Sequence, residues 1–167
     1  GLATALSLGG CTDEEAQATP FTRAEVESET TYSRGLRSFE MIDTTRPTMA
    51  NGTFEGAPER TLPVNVYYPA TSTGTDAPMA DGEFPVIVHS HGILSNPGET
   101  ELFAENLVRR GYIIIAPAFP LSNFSAMGGA TILDVRNQAD DVTFIIDEAL
   151  RLNDPVKLGE QTKQQKT

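Results

Sequence analysis

Two histidines and one cysteine are all the imidazole and thiol chemistry that the 167 residues carry. A single cysteine excludes an internal disulfide, and two histidines limit how elaborate a histidine-based site can be. Basic residues are also few: 12 Lys and Arg against 23 Asp and Glu give a net charge of −11 at pH 7. That balance disfavours long-range attraction to nucleic acid or to an anionic membrane surface, which leaves neutral partners. No apolar run approaches the roughly 20 residues needed to span a bilayer. The length suffices for one domain with a real core but falls short of a complete doubly wound enzyme.

The richest stretch is Phe84-Pro85-Val86-Ile87-Val88-His89-Ser90-His91-Gly92-Ile93. It is a run of strand formers ending in two histidines and a glycine, a strand that delivers a backbone turn to a site. Asn96-Pro97-Gly98-Glu99 then has the form of a helix start, with Asn as cap, Pro at the first helical position and Glu three residues after the cap. Leu102, Phe103, Ala104, Leu107 and Val108 make one apolar face of the helix that follows, and Gly111 is placed to end it. Tyr112 to Ala116 is apolar on both faces, as in a parallel strand covered by helices on each side. Strand, helix and strand within about 35 residues make a βαβ unit.

Before this unit, Leu36 to Ile42 and Thr61 to Tyr68 have strand character and form a hairpin pair. Their connection, Asp43 to Arg60, carries turn chemistry at Arg46-Pro47, Asn51-Gly52 and Gly56-Ala57-Pro58. Thr71 to Gly82 is a polar loop. After the unit, Ala118 to Ala130 is an irregular connection containing Phe119, Leu121, Phe124 and Met127. Asp134 is placed to cap a helix bearing Val135, Ala139, Val142, Ile145, Ile146, Ala149 and Leu150, a stripe that should pack on the sheet. Asp140, Asp141, Asp147 and Glu148 are expected on its solvated side or in local ion pairs. Metal ligation by those acids is not expected, because no turn-rich loop of oxygen ligands surrounds them.

The chain divides into four parts. Residues 1–11 are a leader remnant whose Leu8-Gly9-Gly10-Cys11 end resembles the lipobox of bacterial lipoproteins, which implies lipidation of Cys11. Residues 12–34 are expected to be an acidic, disordered tether. Residues 35–153 make a partial α/β domain, and 154–167 a polar tail. No initiator Met and no positively charged segment precedes the apolar run, so an ordinary leader remnant with an incidental cysteine stays open. The lipoprotein reading puts the protein at a bacterial cell envelope or outside the cell, touching a membrane only through the anchor at Cys11.

Taken together, Asp43-Thr44-Thr45-Arg46-Pro47, Arg60-Thr61-Leu62 to Tyr67-Tyr68-Pro69-Ala70, Pro85 to Gly92, and Gly111-Tyr112 to Phe119-Pro120 resemble the front half of α/β-hydrolases. The likeness is to the branch of platelet-activating-factor acetylhydrolases, dienelactone hydrolases and cutinase-like polyester hydrolases, and it runs from about Leu36 to Asn153. The resemblance implies an antiparallel pair opening the sheet and a third strand ending in His-Gly-X, the backbone N–H of X helping to form the oxyanion hole. Carried over by position, Ile93 supplies that N–H and Gly92 the sharp turn and close approach to substrate. Ester cleavage builds charge on a carbonyl oxygen, and a fixed N–H stabilises it by about 3 kcal/mol, whatever the side chain. The resemblance also sets Phe119, Leu121 and Phe124 beside the acyl pocket, though their apolar character fits plain core equally well.

The family's nucleophile elbow, Gly-x-Ser-x-Gly, is not found, nor are the acid and the histidine that should follow it. Ser125 has large neighbours, Ser95 lies in the oxyanion loop, and both histidines precede any nucleophile. The expectation is therefore a fragment of a serine-type ester hydrolase, needing no cofactor and inactive alone, with Phe84 to Ser90 as an unpaired apolar sheet edge prone to aggregation. Its substrate would be a small-molecule, lipid or polyester ester, the kind left open. Two alternatives stand beside it. One is a non-catalytic envelope lipoprotein or binding module. The other is a metal-dependent hydrolase using His89 and His91, for which no third histidine exists.

Overall fold

The computed structural model describes residues 31–151. The leader, Cys11, the tether up to Thr30 and the tail 154–167 lie outside the described residues. Five strands and two helices follow in order: β1 (Ser33–Asp43), β2 (Arg60–Ala70), β3 (Gly74–Thr75), β4 (Val86–Val88), α1 (Glu101–Val108), β5 (Ile113–Pro117) and α2 (Val135–Arg151). Short 3₁₀ turns, Pro97–Thr100 and Ile132–Asp134, lead into the two helices.

β1 and β2 form the expected antiparallel pair, in unbroken register from Ser33 opposite Ala70 to Asp43 opposite Arg60. β1 therefore starts two residues before the expected domain boundary at 35. Arg34 already belongs to it and reaches Glu101 and Glu105 of α1, both at 2.8 Å. The loop Thr71 to Gly82 is not wholly irregular either, since its Gly74–Thr75 adds to the far edge of β1 in parallel. β2 pairs antiparallel with β5, and β5 pairs parallel with β4, giving the order β3-β1-β2-β5-β4. β4 is thus a sheet edge, as expected, and Val86 on it is 49% exposed. Its pairing reaches one residue further each way, because Ile113 N–H donates to Pro85 O and His89 N–H to Ile115 O.

Alternation along β5 explains the layers. Ile115 joins Met41, Leu62, Val64, Phe119 and Ile145 of α2 on one face. Ile114 and Ala116 join Tyr67 with Ala104 and Val108 of α1 on the other. A strand buried on both sides by helices is what the continuous apolar run demands. Burying each of the large side chains here contributes about 1.5–3 kcal/mol. Asn96 caps the turn before α1, its side chain accepting from Gly98 N–H at 2.8 Å, with Pro97 behind it. Gly111, at φ +85°, ends α1 in the left-handed region, its N–H donating to Val108 O.

The start of α2 departs from the expectation. Thr131 caps the 3₁₀ turn that leads into α2, accepting from Leu133 N–H, while the Asp134 side chain is taken up by Arg60, Asn137 and the Leu121 N–H. Asp134 is instead 2% exposed and Asp141 fully buried, so Asp141 is not on the solvated side. The core face of α2 runs through Asp141 and Ile145, while Val135, Ile146 and Leu150 of the expected packing stripe are 47%, 43% and 69% exposed.

Candidate functional site

β4 ends at Val88, and the chain leaves the sheet through His89 and His91 into a loop pinned to the connection after β5. His91 is 6% exposed. Its Nε2 accepts the Phe119 N–H at 3.0 Å, and its Nδ1 lies 2.6 Å from Gly92 O. The ring lies 5.0 Å from that of Phe119. Ser95 N–H donates back to Gly92 O at 3.2 Å, closing a four-residue turn, and Leu94 N–H donates to Ser122 O at 2.8 Å. Phe124 N–H completes the tie by donating to Ser95 O at 2.9 Å.

The geometry of this turn decides what each residue does. Its third residue, Leu94, carries φ +62°. A leucine in the left-handed region costs on the order of 1 kcal/mol, which the two loop-to-loop bonds offset. The positive φ of this turn falls on Leu94 and not on Gly92, and a Cβ on Gly92 would meet nothing within 4 Å. Gly92 still leaves an open approach to the turn. Ile93 occupies the second position, where the amide takes no part in the bond that closes the turn. Among the described residues its N–H has no acceptor, and the residue is 48% exposed.

The connection that faces this turn is held from several sides. Asp134 Oδ2 accepts the Leu121 N–H at 3.2 Å, and Thr131 N–H donates to Leu121 O. Asn51, at the tip of a small hairpin between β1 and β2, donates through Nδ2 to Met127 O at 2.9 Å and Gly129 O at 2.5 Å. Backbone meets backbone there: a Cβ on Gly128, at φ +74°, would sit 1.7 Å from Asn51 O. Of the three apolar residues expected beside an acyl pocket, Phe119 is fully buried in the core and Leu121 is 3% exposed. Phe124 is 74% exposed beside the turn, near Leu94 at 59%.

Beneath the connection lies a buried ionic network that the sequence reading did not find. Arg60, 1% exposed, donates to Asp141 through Nε at 2.6 Å and Nη2 at 2.7 Å, and through Nη2 to Asp134 at 3.0 Å. Arg46 bridges Asp43 at 2.7 Å and Asp141 at 2.9 Å. Burial alone pushes the Asp134 carboxyl up, but hydrogen bonds from Arg60 and Asn137 and the charge of Arg60 hold it below the usual carboxylate range. Asp43 is likewise held low, against its burial, by Thr45 and Arg46. One signal was available: Arg60 shares the parity of Leu62 and Val64, whose side of β2 faces the core.

His89 and His91 are not brought together as a pair. His89 lies 3.0 Å through Nδ1 from Thr100 Oγ1 and packs 5.3 Å from the Phe103 ring, while His91 spends both nitrogens on backbone. Among the described residues no group of three or more His, Cys, Asp or Glu is arranged to hold a metal ion. Among the described residues neither imidazole holds a serine hydroxyl: Ser95 Oγ donates to Glu99 at 2.5 Å, and Ser122 Oγ accepts from Gln138. Among the described residues no helix is long and apolar enough to cross a membrane.

The fold is shared with an esterase. A ferulic acid esterase from Streptomyces cinnamoneus superposes with a TM-score of 0.57 at 19% sequence identity, over 78% of this chain. This chain spans about half of that enzyme's length, 48%. At that identity the likeness shows the fold alone, a mixed five-stranded sheet with two helices consistent with a partial α/β fold, and nothing about substrate. No protein-family model matches the chain, and no curated protein matches it by sequence.

Proposed function

We propose that this chain contributes the oxyanion-hole side of a serine-type carboxylic-ester hydrolase, related to the platelet-activating-factor acetylhydrolase, dienelactone hydrolase and cutinase-like branch. The observation that carries the reading is the Ile93 amide: without an acceptor among the described residues, on a half-exposed residue, and fixed in a turn at the C-terminal end of a parallel strand. Active sites of open α/β sheets gather at that end. In this reading Ile93 N–H receives the charge that develops on the ester carbonyl, and Gly92 keeps the approach open. Phe124 and Leu94 offer apolar contact to the acyl or alcohol group of the ester. No cofactor takes part.

The nucleophile, acid and general base belong to further βα units that add to the free edge of β4. Support for this comes from β4 standing at the edge of the sheet among the described residues and from the exposed Val135, Ile146 and Leu150 on α2. We also propose lipidation at Cys11 and a place at the bacterial cell envelope. Palmitate labelling that survives Cys11→Ser would end that part.

The test of the main reading is the gene product in its producing cells. A serine-reactive fluorophosphonate probe should label it, at a Gly-x-Ser-x-Gly serine encoded within about 40 residues beyond the α2 region. A product that takes no label and cleaves no aryl ester would make the chain a binding module.

A further inference from the structure

We infer that His91 is a positioning residue for the oxyanion-binding amide, acting through the peptide plane that joins Gly92 to Ile93; the inference rests on the function proposed above. Nε2 accepts the Phe119 N–H at 3.0 Å, so that nitrogen carries a lone pair and the ring proton sits on Nδ1. Nδ1 lies 2.6 Å from Gly92 O, a contact that attracts only when Nδ1 donates. Two independent contacts therefore require one and the same tautomer.

The Gly92 carbonyl and the Ile93 N–H belong to a single planar peptide unit and point in opposite directions. Holding the oxygen fixes where the hydrogen aims. Gly92 O receives two donors, His91 Nδ1–H on one side and Ser95 N–H at 3.2 Å on the other, which polarises the unit and makes its N–H a better donor. The far side of the imidazole is anchored to Phe119, itself fully buried in the core. His91 thus transmits the rigidity of the core to an amide on an otherwise exposed turn, as preorganised stabilisation of developing charge requires. It touches no reacting atom in this role.

The experiment is nitrogen-15 NMR of the full chain with labelled histidine and backbone at neutral pH. His91 should give one protonated nitrogen, Nδ1, and one unprotonated, Nε2. Two substitutions separate its two bonds, because an Asn amide reaches the Nδ1 position and a Gln carbonyl the Nε2 position. His91→Asn should leave the Ile93 amide resonance near its original place and shift that of Phe119. His91→Gln should do the reverse. An Nε2-protonated ring, or an imidazolium, overturns the inference from the unsubstituted protein alone, so failure of either variant to fold leaves it testable. Ile93 resonances that move alike in both variants overturn it as well. The oxyanion reading fails separately, if removal of the Ile93 N–H leaves ester hydrolysis unchanged while the tautomer and the pattern of resonance shifts hold.

Discussion

Replacing Arg60 by Met removes a guanidinium of which 1% is exposed and leaves its partners, Asp134 and Asp141, buried in a site built around it. Three hydrogen bonds of 2.6, 2.7 and 3.0 Å disappear. Their net worth is not the cost, because pairing in the interior mainly repays desolvation. The cost is the charge left without a partner, about 3–5 kcal/mol when one member of a buried pair is removed. Arg46 still reaches Asp141 at 2.9 Å and relieves part of it. Asp134 keeps only Asn137 and the Leu121 N–H, and is the more exposed to loss. We therefore expect Arg60→Met to lower the urea midpoint of the full chain by about 2 M, taking about 4 kcal/mol and a slope of about 2 kcal/mol/M. Arg60→Lys, which keeps the charge but not the fork, should lose less. The gap between Arg60→Met and the parent should narrow below about pH 4, where a carboxyl can escape the penalty by protonation. A loss under about 1 kcal/mol, the value of an exposed pair, would refute the reasoning.

Other outcomes follow from the same geometry. Asp134 and Asp43 are held low in the folded state, so their contribution to stability is present above the ordinary carboxylate range and lost as pH falls through their folded values; acid titration of unfolding should show stability dropping on the acid side of about pH 4. Gly92→Ala should fold as well as the parent or slightly better, by about 0.4–1 kcal/mol in thermal unfolding, since the added Cβ meets nothing; a clear loss would place Gly92 under a constraint the structure does not contain. Gly128→Ala should loosen the connection from Ala118 to Ala130, because φ +74° and the Asn51 carbonyl at 1.7 Å leave no room for a methyl group; limited proteolysis should cut there first, and an unchanged pattern would contradict the docking of the hairpin tip.

The β1–β2 pair and the βαβ unit were legible because alternation and the continuous apolar run are backbone-scale signals, and tertiary packing reinforced them. The face of α2 was legible only in part. Of the apolar stripe, Ile145, Val142 and Ala149 do pack on the core, but Val135, Ile146 and Leu150 stay exposed, and the helix turns Asp141 to the sheet beside Ile145, where Arg60 and Arg46 carry matching charge. A pattern that scores acids as solvated cannot see a carboxylate whose partner lies 81 residues away in sequence. At the candidate site, His-Gly-Ile does fall in a turn at the end of β4, but the residue in the left-handed region is Leu94, which no glycine-based rule would choose. The role of His91 was equally hidden, since both of its partners are backbone groups that sequence does not label.

The most direct measurement removes the Ile93 N–H and little else. Proline lacks that hydrogen and suits the second position of a four-residue turn, so Ile93→Pro should preserve the loop, while Ile93→Ala keeps the amide as a control. In the gene product that proves reactive toward the fluorophosphonate, assayed free of the probe, aryl-ester hydrolysis by Ile93→Pro should have a kcat about 10²–10³-fold lower, with Ile93→Ala near the parent. Equal rates in Ile93→Pro and the parent, with the fold intact, would contradict the account.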